Sequence, residues 1–325
     1  MRQFLKRVLN TVSRYDLWKA GDRFIIGVSG GADSLCLLDV LFLLSEKYGF
    51  SLHIAHVNYG LRGKDSEKDE AVVRSRATLY NLPLTVLRPK VKAKGNLEET
   101  LRDTRYAFFE TLRKKKDFDL IVVAHNEDDQ AETLLLRLLR GSGLSGLSAM
   151  EPKTGRIIRP LIEANRLDIL RYTKERKLTY RVDKTNTDTH FLRNRIRHEL
   201  LPLLEKKYQP QIKKLLARTA TLLAGDYALL KKKRASDLFQ AIPGGFIASG
   251  KKLTALPLPL LRQELRVFLS PLLEGKNPSQ GLVIEIIKAL KSNKNKAQTL
   301  SFRGLKLVRK GDTVTLLYGS SNDSF

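Results

Sequence analysis

Short apolar runs alternate with amphipathic segments over the first 150 residues. The apolar runs have the length and composition of strands, and they lie at 24–28, 52–57, 84–87 and 120–124. Between them, apolar residues recur at helical spacing, which predicts helices at 34–48, 66–80, 98–116 and from 128 onward. Strands that alternate with helices form βαβ units. We therefore predict an α/β fold with a Rossmann-like parallel sheet and helices on both faces.

Beyond residue 150 the alternation ends. One more helix is predicted at 166–176, whereas residues 183–197 are polar, lack apolar periodicity and are interpreted as a loop. A longer helical segment at 200–233 is placed to connect two domains. The remaining residues combine two apolar helices with a hairpin, which runs from Leu305 to Leu317 and turns at Gly311-Asp312.

The C-terminal part of the chain is densely basic. Residues 217–325 hold 18 Lys and Arg against 7 Asp and Glu, and they include the run Lys231-Lys232-Lys233-Arg234. We predict an N-terminal catalytic domain over 1–216, and a linker helix with a small basic α+β domain over 217–325. The apolar N-terminal segment can pack on its own sheet or on a second copy of the chain, so a homodimer is one of two open alternatives.

The whole chain carries a formal net charge of +25. A charge of this size attracts polyanions, and nucleic acid is the first candidate. The single cysteine, Cys36, excludes a disulfide framework, a four-thiolate zinc site and a CxxC sulfur relay. Low cysteine usage fits a reducing cytoplasm. Since we find neither a signal-peptide pattern nor an apolar run long enough to span a bilayer, we expect a cytoplasmic protein with no membrane partner.

The segment from Ser29 to Ser34, SGGADS, joins a predicted strand to a predicted helix. Its adjacent glycines allow a positive φ and a close approach of the backbone to a ligand. The free N–H groups of the helix start favour phosphate, and the two serines add hydroxyl donors. Asp33 would repel phosphate unless a Mg²⁺ ion bridges the two. We therefore favour a phosphate site with Mg²⁺ over a simple glycine turn.

A second candidate site follows the strand at 120–124. His125 precedes a helix start in which Asp128 and Asp129 each share a face with Glu132, because they lie four and three residues before it. Like charges at this spacing need a cation, either Mg²⁺ or the ammonium group of an amine substrate. The alternative is an ordinary acidic helix N-terminus, which accounts for one or two carboxylates. The position at a strand's carboxyl end, where open α/β sheets bind ligands, favours function.

The SGGADS segment does not fit the Walker A pattern. It resembles the PP-loop of the ATP pyrophosphatases, which cleave ATP to AMP and pyrophosphate while they adenylate a carbonyl-type oxygen. Within that group, the order and spacing of further segments resemble the tRNA(Ile)-lysidine synthetase family over roughly the first two-thirds of the chain. These segments are 56–62, 98–106, 125–133, 140–147, 159–161, 183–186 and 193–197.

The resemblance implies a reaction. ATP adenylates C2 of the wobble cytidine in the CAU anticodon of a minor tRNA(Ile), and the ε-amine of free L-lysine then displaces AMP to give lysidine. ATP and Mg²⁺ are the implied cofactors. Two departures from the family pattern stand out: Tyr59 replaces a usual histidine, and the chain is short, so we expect tRNA contacts of a further C-terminal domain to be reduced or replaced.

The resemblance also implies residue roles. The residues of the phosphate cradle are Ser29, Gly30, Gly31, Ala32, Asp33 and Ser34, joined in cofactor binding by His56 and His125. Asp33 and Asp129 would hold Mg²⁺, and Asp129 and Glu132 would hold Mg²⁺ or the lysine amine. Arg102 and Arg105 would provide positive charge during catalysis. The residues implied at the lysine, cytidine or RNA backbone are Arg140, Gly141, Gly143, Arg193, Asn194 and Arg197.

Three alternatives remain open at this point. A tRNA thiolase of the same group commonly uses CxxC pairs, and the single cysteine argues against it. A small-metabolite amidating synthetase has no need for a charge of +25. A noncatalytic RNA-binding protein would not need Asp33, Asp129 and Glu132 together, because carboxylates oppose binding of a polyanion.

Overall fold

The computed structural model describes residues 1–90, 97–181, 192–232, 238–273, 278–292, 297–302 and 304–318. These residues form two compact units, Met1–Gly225 and Asp226–Phe325. The segment at 183–186, and Lys233 and Arg234 of the basic run, lie outside the described residues.

The first unit is built on a six-stranded sheet of order β3-β2-β1-β4-β6-β5. Its strands are β1 Arg23–Gly27, β2 Ser51–Val57, β3 Leu84–Leu87, β4 Leu120–Val122, β5 Lys153–Thr154 and β6 Ile157–Ile158. All neighbouring pairs are parallel except β5 with β6. The predicted Rossmann-like parallel sheet is confirmed. The strand order reverses at the β1/β4 boundary, which is where such sheets open a ligand crevice.

Helices cover both faces of this sheet, as predicted. They are α1 Arg2–Tyr15, α2 Ala32–Tyr48, α3 Lys64–Leu79, α4 Leu97–Lys115, α5 Glu127–Leu139, α6 Leu144–Leu147 and α7 Arg166–Glu175. Alternation along β1 separates two cores, because successive strand side chains point to opposite faces. Phe24 and Ile26 pack with α1, α2 and α7, whereas Ile25 packs with Phe109 and Leu112 of α4.

The N-terminal helix α1 lies on its own domain. Its apolar stripe, Phe4, Val8 and Val12, is buried in the larger core. Glu163 accepts hydrogen bonds from Thr11, Arg14 and Tyr15 and fixes the same helix from its polar side. This packing resolves the position of the segment, and a homodimer stays a prediction.

The structure corrects the expected loop at residues 192–197 and divides the expected helical segment at 200–233. Helical structure occupies α8 Leu192–Arg195 and a π-helical turn at Ile196–Leu200, where a loop was expected. The reason is packing, because Ile196 and Leu201 are buried against Ala131 and Leu135 of α5. The expected long connector is two helices, α9 Leu201–Lys207 and α10 Ile212–Lys232. Pro210 falls in the break, since proline disfavours helical backbone at and before its position.

The second unit is a five-stranded antiparallel sheet with helices. The strands are β7 Phe239–Ile242, β8 Gly245–Ser249, β9 Gln298–Phe302, β10 Leu305–Lys310 and β11 Thr313–Tyr318, in the order β7-β8-β11-β10-β9. The helices are α11 Gly250–Thr254, α12 Leu258–Leu272 and α13 Gln280–Lys291. The predicted hairpin is β10–β11. Within the described residues, no helix has both the length and the apolar composition to cross a bilayer.

Candidate active site

The turn at residues 29–34 leads from β1 directly into α2. Gly30 has a φ of +90°, and Gly31 is the N-cap of α2 and lacks a side-chain cap. The Ser34 hydroxyl donates to the Gly31 carbonyl at 3.0 Å and accepts from the Ser29 N–H at 3.1 Å. The turn is therefore closed by its own side chains, and the first N–H groups of α2 are suited to receive an anion.

Tertiary contacts hold this turn in place. The Arg181 N–H donates to the Gly30 carbonyl at 3.0 Å. A Cβ atom at Gly30 would lie 3.1 Å from the backbone oxygen of Asp69 on α3. The Asp69 carboxylate is itself fixed by ion pairs with Arg62 and Arg181. A positive φ and so close a backbone neighbour together require glycine.

Asp33 lies at the mouth of the turn and forms an ion pair with Arg166, the first residue of α7. The Arg166 N–H donates to Asp128 Oδ1 at 3.1 Å, so Arg166 also contacts the acidic start of α5. Burial raises the pKa of Asp33, the Arg166 charge lowers it, and the negative charge of Asp129 raises it. Because the charge of Asp129 raises the pKa of Asp33, the two carboxylates repel each other and share one electrostatic environment at the carboxyl ends of β1 and β4.

The acidic start of α5 is formed by a capping box. Asn126 is the N-cap, and its Oδ1 accepts the Asp129 N–H at 3.0 Å. In return, Asp129 Oδ2 accepts the Asn126 N–H at 3.1 Å. This reciprocal pair satisfies two donors of the helix start. It leaves Asp129 Oδ1 directed to the neighbouring elements.

Two arginines meet the carboxylates of α5. Arg193 Nε donates to Glu132 Oε2 at 3.1 Å, and Arg193 Nη2 lies 3.4 Å from Asp129 Oδ1. Arg197 Nε donates to Glu132 Oε1 at 2.5 Å, and its Nη2 donates to Glu132 Oε2 at 2.9 Å and to Asp129 Oδ1 at 3.2 Å. The Glu132 side chain is only 2% exposed. The cation that the sequence pattern requires is present here as a pair of guanidinium groups.

His125 at the end of β4 is neutral. Burial lowers its pKa to about 3; the Asp129 charge opposes this shift, and the charges of Arg159, Arg193 and Arg102 reinforce it. Arg159 Nε donates to His125 Nδ1 at 3.3 Å. Because Nδ1 accepts, the ring proton lies on Nε2 and gives the site a hydrogen-bond donor.

His56 on β2 gives the site a hydrogen-bond acceptor instead of a donor. Its Nδ1 donates to the Val28 carbonyl at 2.8 Å, just ahead of the 29–34 turn. Burial lowers the pKa of His56, so the ring is neutral and Nε2 is an acceptor. His56 is 3% exposed, and among the described residues Nε2 has no hydrogen-bond partner. Burial of an acceptor without a hydrogen-bond partner destabilises the folded protein, and a ligand that donates a hydrogen bond to Nε2 would remove this penalty.

The comparisons with known proteins agree with this architecture. The model of the PP-loop domain family matches residues 1–204. The chain belongs to the PP-loop domain family. The 29–34 turn lies within the matched residues, and it is called the PP-loop below because its sequence resembles the loop of that name.

Several curated relatives match this chain over 70% or more of its length. A tRNA(Ile)-lysidine synthase from Geobacter sulfurreducens is 42% identical over 273 residues, which is 81% of this chain and 58% of the relative. One from Symbiobacterium thermophilum is 43% identical over 234 residues, or 70% of this chain and 48% of the relative. The chain thus spans about half the length of the curated relatives it matches. A U34-tRNA thiolase from Methanococcus maripaludis has the same fold, with a TM-score of 0.58 at 19% identity over 69% of this chain and 78% of its own.

The remaining predicted residues lie on α4, after the C-terminal end of α5, and on α8. Arg102 and Arg105 are exposed on α4, and the Arg102 guanidinium lies 5.4 Å from the centre of the Tyr106 ring. Arg102 also lowers the pKa of His125 electrostatically. Arg102 therefore belongs to the surroundings of His125. Within the part of the chain that the structure describes, no hydrogen bond or ion pair joins Arg105 to the carboxylates.

The glycine-rich segment follows α5. Arg140 is the C-cap of that helix, Gly141 has a φ of +69°, and Gly143 is the N-cap of α6. Arg137 of α5 donates to the carbonyls of Gly146 and Ala149 at 2.7 and 2.8 Å, which fixes the segment against the helix. Asn194 lies on α8 between Arg193 and Arg195.

The chemistry of the carboxylates fits a magnesium ion that is shared with phosphate. Among the described residues, no group of three or more His, Cys, Asp and Glu side chains is arranged to hold a metal. Mg²⁺ commonly binds through one or two carboxylates together with substrate phosphates. Asp33, next to the PP-loop, and Asp129 could supply such a pair of carboxylates. ATP would have to complete the site.

Sequence reasoning missed Arg166 and Arg159. Arg166 was treated only as the start of a helix, yet it pairs with Asp33. Arg159 was recognised as part of a short motif, yet it is 5% exposed and contacts His125. The one available signal for Arg159 was an arginine directly after a buried strand at the carboxyl edge of the sheet.

Proposed function

We propose that the chain is a tRNA(Ile)-lysidine synthetase. It would use ATP to adenylate C2 of the wobble cytidine in the CAU anticodon of tRNA(Ile), and would then join the ε-amine of L-lysine to that carbon. The observation that carries the proposal is the meeting of the PP-loop and the acidic start of α5 at the β1/β4 boundary, with Asp33 and Asp129 in one electrostatic environment. The names of the curated relatives support it.

The PP-loop would bind ATP. The N–H groups at the start of α2, from Ala32 onward, would bind the phosphates, and Ser29 would add a hydroxyl. Mg²⁺ held by Asp33, and by Asp129 once the neighbouring guanidinium groups move away from its Oδ1, would neutralise charge on the phosphates during adenylation. His56 Nε2 would accept a hydrogen bond from the nucleotide, either from the adenine amine or from a ribose hydroxyl. The neutral His125 would donate from Nε2.

The carboxylates of α5 would then receive the amine. In the second step the lysine ammonium first loses a proton to solvent, and its nitrogen then forms a C–N bond to C2 while the C–O bond breaks and AMP leaves with the oxygen. A second proton is lost to solvent, and the product keeps one N–H. Asp129 and Glu132 would orient the ammonium before this loss. Arg140, Gly141 and Gly143 would shape the pocket for lysine or cytidine.

The net charge of +25 supports a polyanionic partner. Arg102 and Arg105 are exposed and would contact the tRNA or the nucleotide phosphates, since guanidinium groups match phosphate oxygens. The second unit, with its excess of Lys and Arg, would add affinity for RNA. A cytoplasmic location follows from this substrate. Sedimentation of the purified chain would test the homodimer.

The test is an incubation of the purified full chain with ATP, Mg²⁺, radiolabelled L-lysine and unfractionated bacterial tRNA. We expect acid-precipitable label that survives mild base, because base hydrolyses an aminoacyl ester and spares a modified nucleoside. AMP and pyrophosphate should appear together with the label. Glu132→Gln should abolish the label and keep tRNA affinity, whereas Glu127→Gln, at the first residue of the same helix, should keep both.

Other outcomes identify other functions. AMP release that depends on tRNA but gives no lysine label would support a different nucleophile, such as sulfur. Tight, salt-sensitive tRNA binding with neither label nor AMP would support the noncatalytic RNA-binding alternative. Either result contradicts the lysidine proposal.

A further inference from the structure

The two guanidinium groups at Asp129 and Glu132 satisfy the carboxylates almost completely. Glu132 accepts from Arg193 through one oxygen and from Arg197 through both. Asp129 Oδ1 is 3.2 Å from Arg197 Nη2 and 3.4 Å from Arg193 Nη2, and its other oxygen is used in the capping box. The place where the proposed function seats a lysine ammonium is therefore filled by two side chains of the protein.

The two arginines and the two carboxylates lie on two helical segments that pack against each other. Arg193 and Arg197 are four residues apart, and Asp129 and Glu132 are three apart, so each pair projects from one face of its segment. Arg197 belongs to the π-helical turn at Ile196–Leu200, and such turns are frequent at functional sites. Ile196 is buried against α5 and sets the distance between the two segments.

The balance of charge disfavours binding of a third cation at Asp129 and Glu132 while both guanidinium groups stay in place. Asp129 and Glu132 carry two negative charges, which the two guanidinium groups match. Asp33, which also acts electrostatically on Arg197, has its own partner in Arg166, and Arg159 and Arg102 add positive charge at the adjoining His125. An arriving ammonium would meet net repulsion in a site where Glu132 is 2% exposed and poorly screened. Exchange of one guanidinium for the ammonium would keep the balance.

We propose that Arg193 and Arg197 occupy the amine subsite as internal cations, and that a primary ammonium group enters only by displacing at least one of their guanidinium groups. This inference rests on the proposed function and adds to it the residues that determine which amines the site accepts. A primary ammonium on a slender alkyl chain can replace a guanidinium at the buried Glu132. A bulkier or substituted cation cannot make equivalent hydrogen bonds there.

The displaced guanidinium has a defined use. Freed from the carboxylates, Arg193 or Arg197 can pair with a phosphate oxygen, which it matches in geometry and charge. Amine binding and anion binding would then favour each other, since each stabilises the same displaced state. This reconciles the expected RNA contacts of these arginines with their observed ion pairs.

The test measures the equilibrium Kd of L-lysine for the full chain by calorimetry, with ATP replaced by a non-hydrolysable analogue and Mg²⁺ present. Arg197→Gln removes one internal cation, and we expect it to tighten lysine binding about three- to tenfold. Arg197→Lys keeps a cation and should bind lysine with nearly the wild-type Kd. Arg195→Gln removes the same charge from the adjacent exposed position and should leave the Kd unchanged.

Circular dichroism of each variant checks folding, and Arg193→Gln provides a second variant if Arg197→Gln does not fold. Weaker or unchanged lysine binding in both folded glutamine variants would overturn the displacement proposal alone, provided that the wild-type chain binds lysine. If neither the wild type nor any variant binds lysine, the amine site of the proposed function fails as well. Binding that appears only in the glutamine variants would support displacement.

Discussion

Arg166 at the start of α7 forms an ion pair with Asp33 at the mouth of the PP-loop. The two residues are far apart in sequence and come from different βα units, so the pair fixes the position of α7 relative to the loop. The same arginine donates its N–H to Asp128. Arg166 thus joins the PP-loop and the acidic start of α5, the two parts of the proposed site.

We expect Arg166→Gln to lower kcat/KM for ATP about tenfold, because Asp33 loses the partner that holds its carboxylate in position. AMP release in the presence of tRNA and lysine measures the effect. Arg166→Lys should recover part of the rate. Arg171→Gln on the same helix, with a side chain that is 76% exposed, is the matched control and should behave as wild type. An equal loss in both glutamine variants would contradict a specific role for Arg166.

Gly30→Ala should destabilise the first unit by about 1–2 kcal/mol, since a left-handed backbone is costly for alanine. Its Cβ would also press on the Asp69 carbonyl at 3.1 Å. Gly31→Ala is the control, because its φ is −82° and its Cβ would lie 3.6 Å from Ser29 Oγ. Trp18, the single tryptophan, is buried in the first unit and reports urea unfolding by fluorescence. Equal stability of the two variants would show that the turn can relax.

The carboxylate of Asp39 is fully buried between α2, α3 and α7. It accepts hydrogen bonds from the hydroxyls of Tyr80 and Tyr172 and forms an ion pair with Arg176. We expect Asp39→Ala to cost about 3–5 kcal/mol, because it leaves a charge and two hydroxyls without their partner. Asp117→Asn keeps a residue type that tolerates the φ of +56° at this position; because the side chain is 90% exposed and pairs with Arg23 at the surface, we expect it to leave the urea midpoint almost unchanged. Urea midpoints followed by Trp18 fluorescence distinguish the two.

The stability of the first unit should fall when the pH drops below about 6.5. Burial lowers the pKa of His53, His56 and His125 in the folded protein. Below the unfolded pKa, the unfolded chain therefore binds protons that the folded chain does not, and this favours unfolding. Each histidine contributes a slope of at most about 1.4 kcal/mol per pH unit.

The measurement is urea unfolding by Trp18 fluorescence between pH 5 and 7, where carboxylates with ordinary pKa values stay mostly ionised. His53→Gln should remove part of the slope, because only the Thr85 hydroxyl, 2.8 Å from His53 Nε2, has to find a new partner. A slope that is the same in the wild type and in His53→Gln would show that His53 does not titrate in this range.

Hydrophobic periodicity predicted most strands and helices of the first unit, and the strand β3 at Leu84–Leu87 agrees with the sequence pattern residue by residue. In the second unit, the hairpin β10–β11 agrees with the pattern to within one residue at each strand. Periodicity failed where tertiary packing overrides local polarity. The π-helical turn at Ile196–Leu200 lies in a polar stretch, and only its contact with α5 explains it.

The sequence by itself determined the local chemistry of this protein. A glycine pair between a strand and a helix specifies the PP-loop, and an asparagine followed by carboxylates specifies the capped, acidic start of α5, because both depend on neighbours within one helical turn. The tertiary structure alone decided which charges meet. Arg166 reaches Asp33, and Arg193 and Arg197 reach Asp129 and Glu132, across distant segments of the chain. Coulombic and hydrogen-bond energies fall steeply with distance, so partners of this kind are set only when the sheet and its packed helices bring them together.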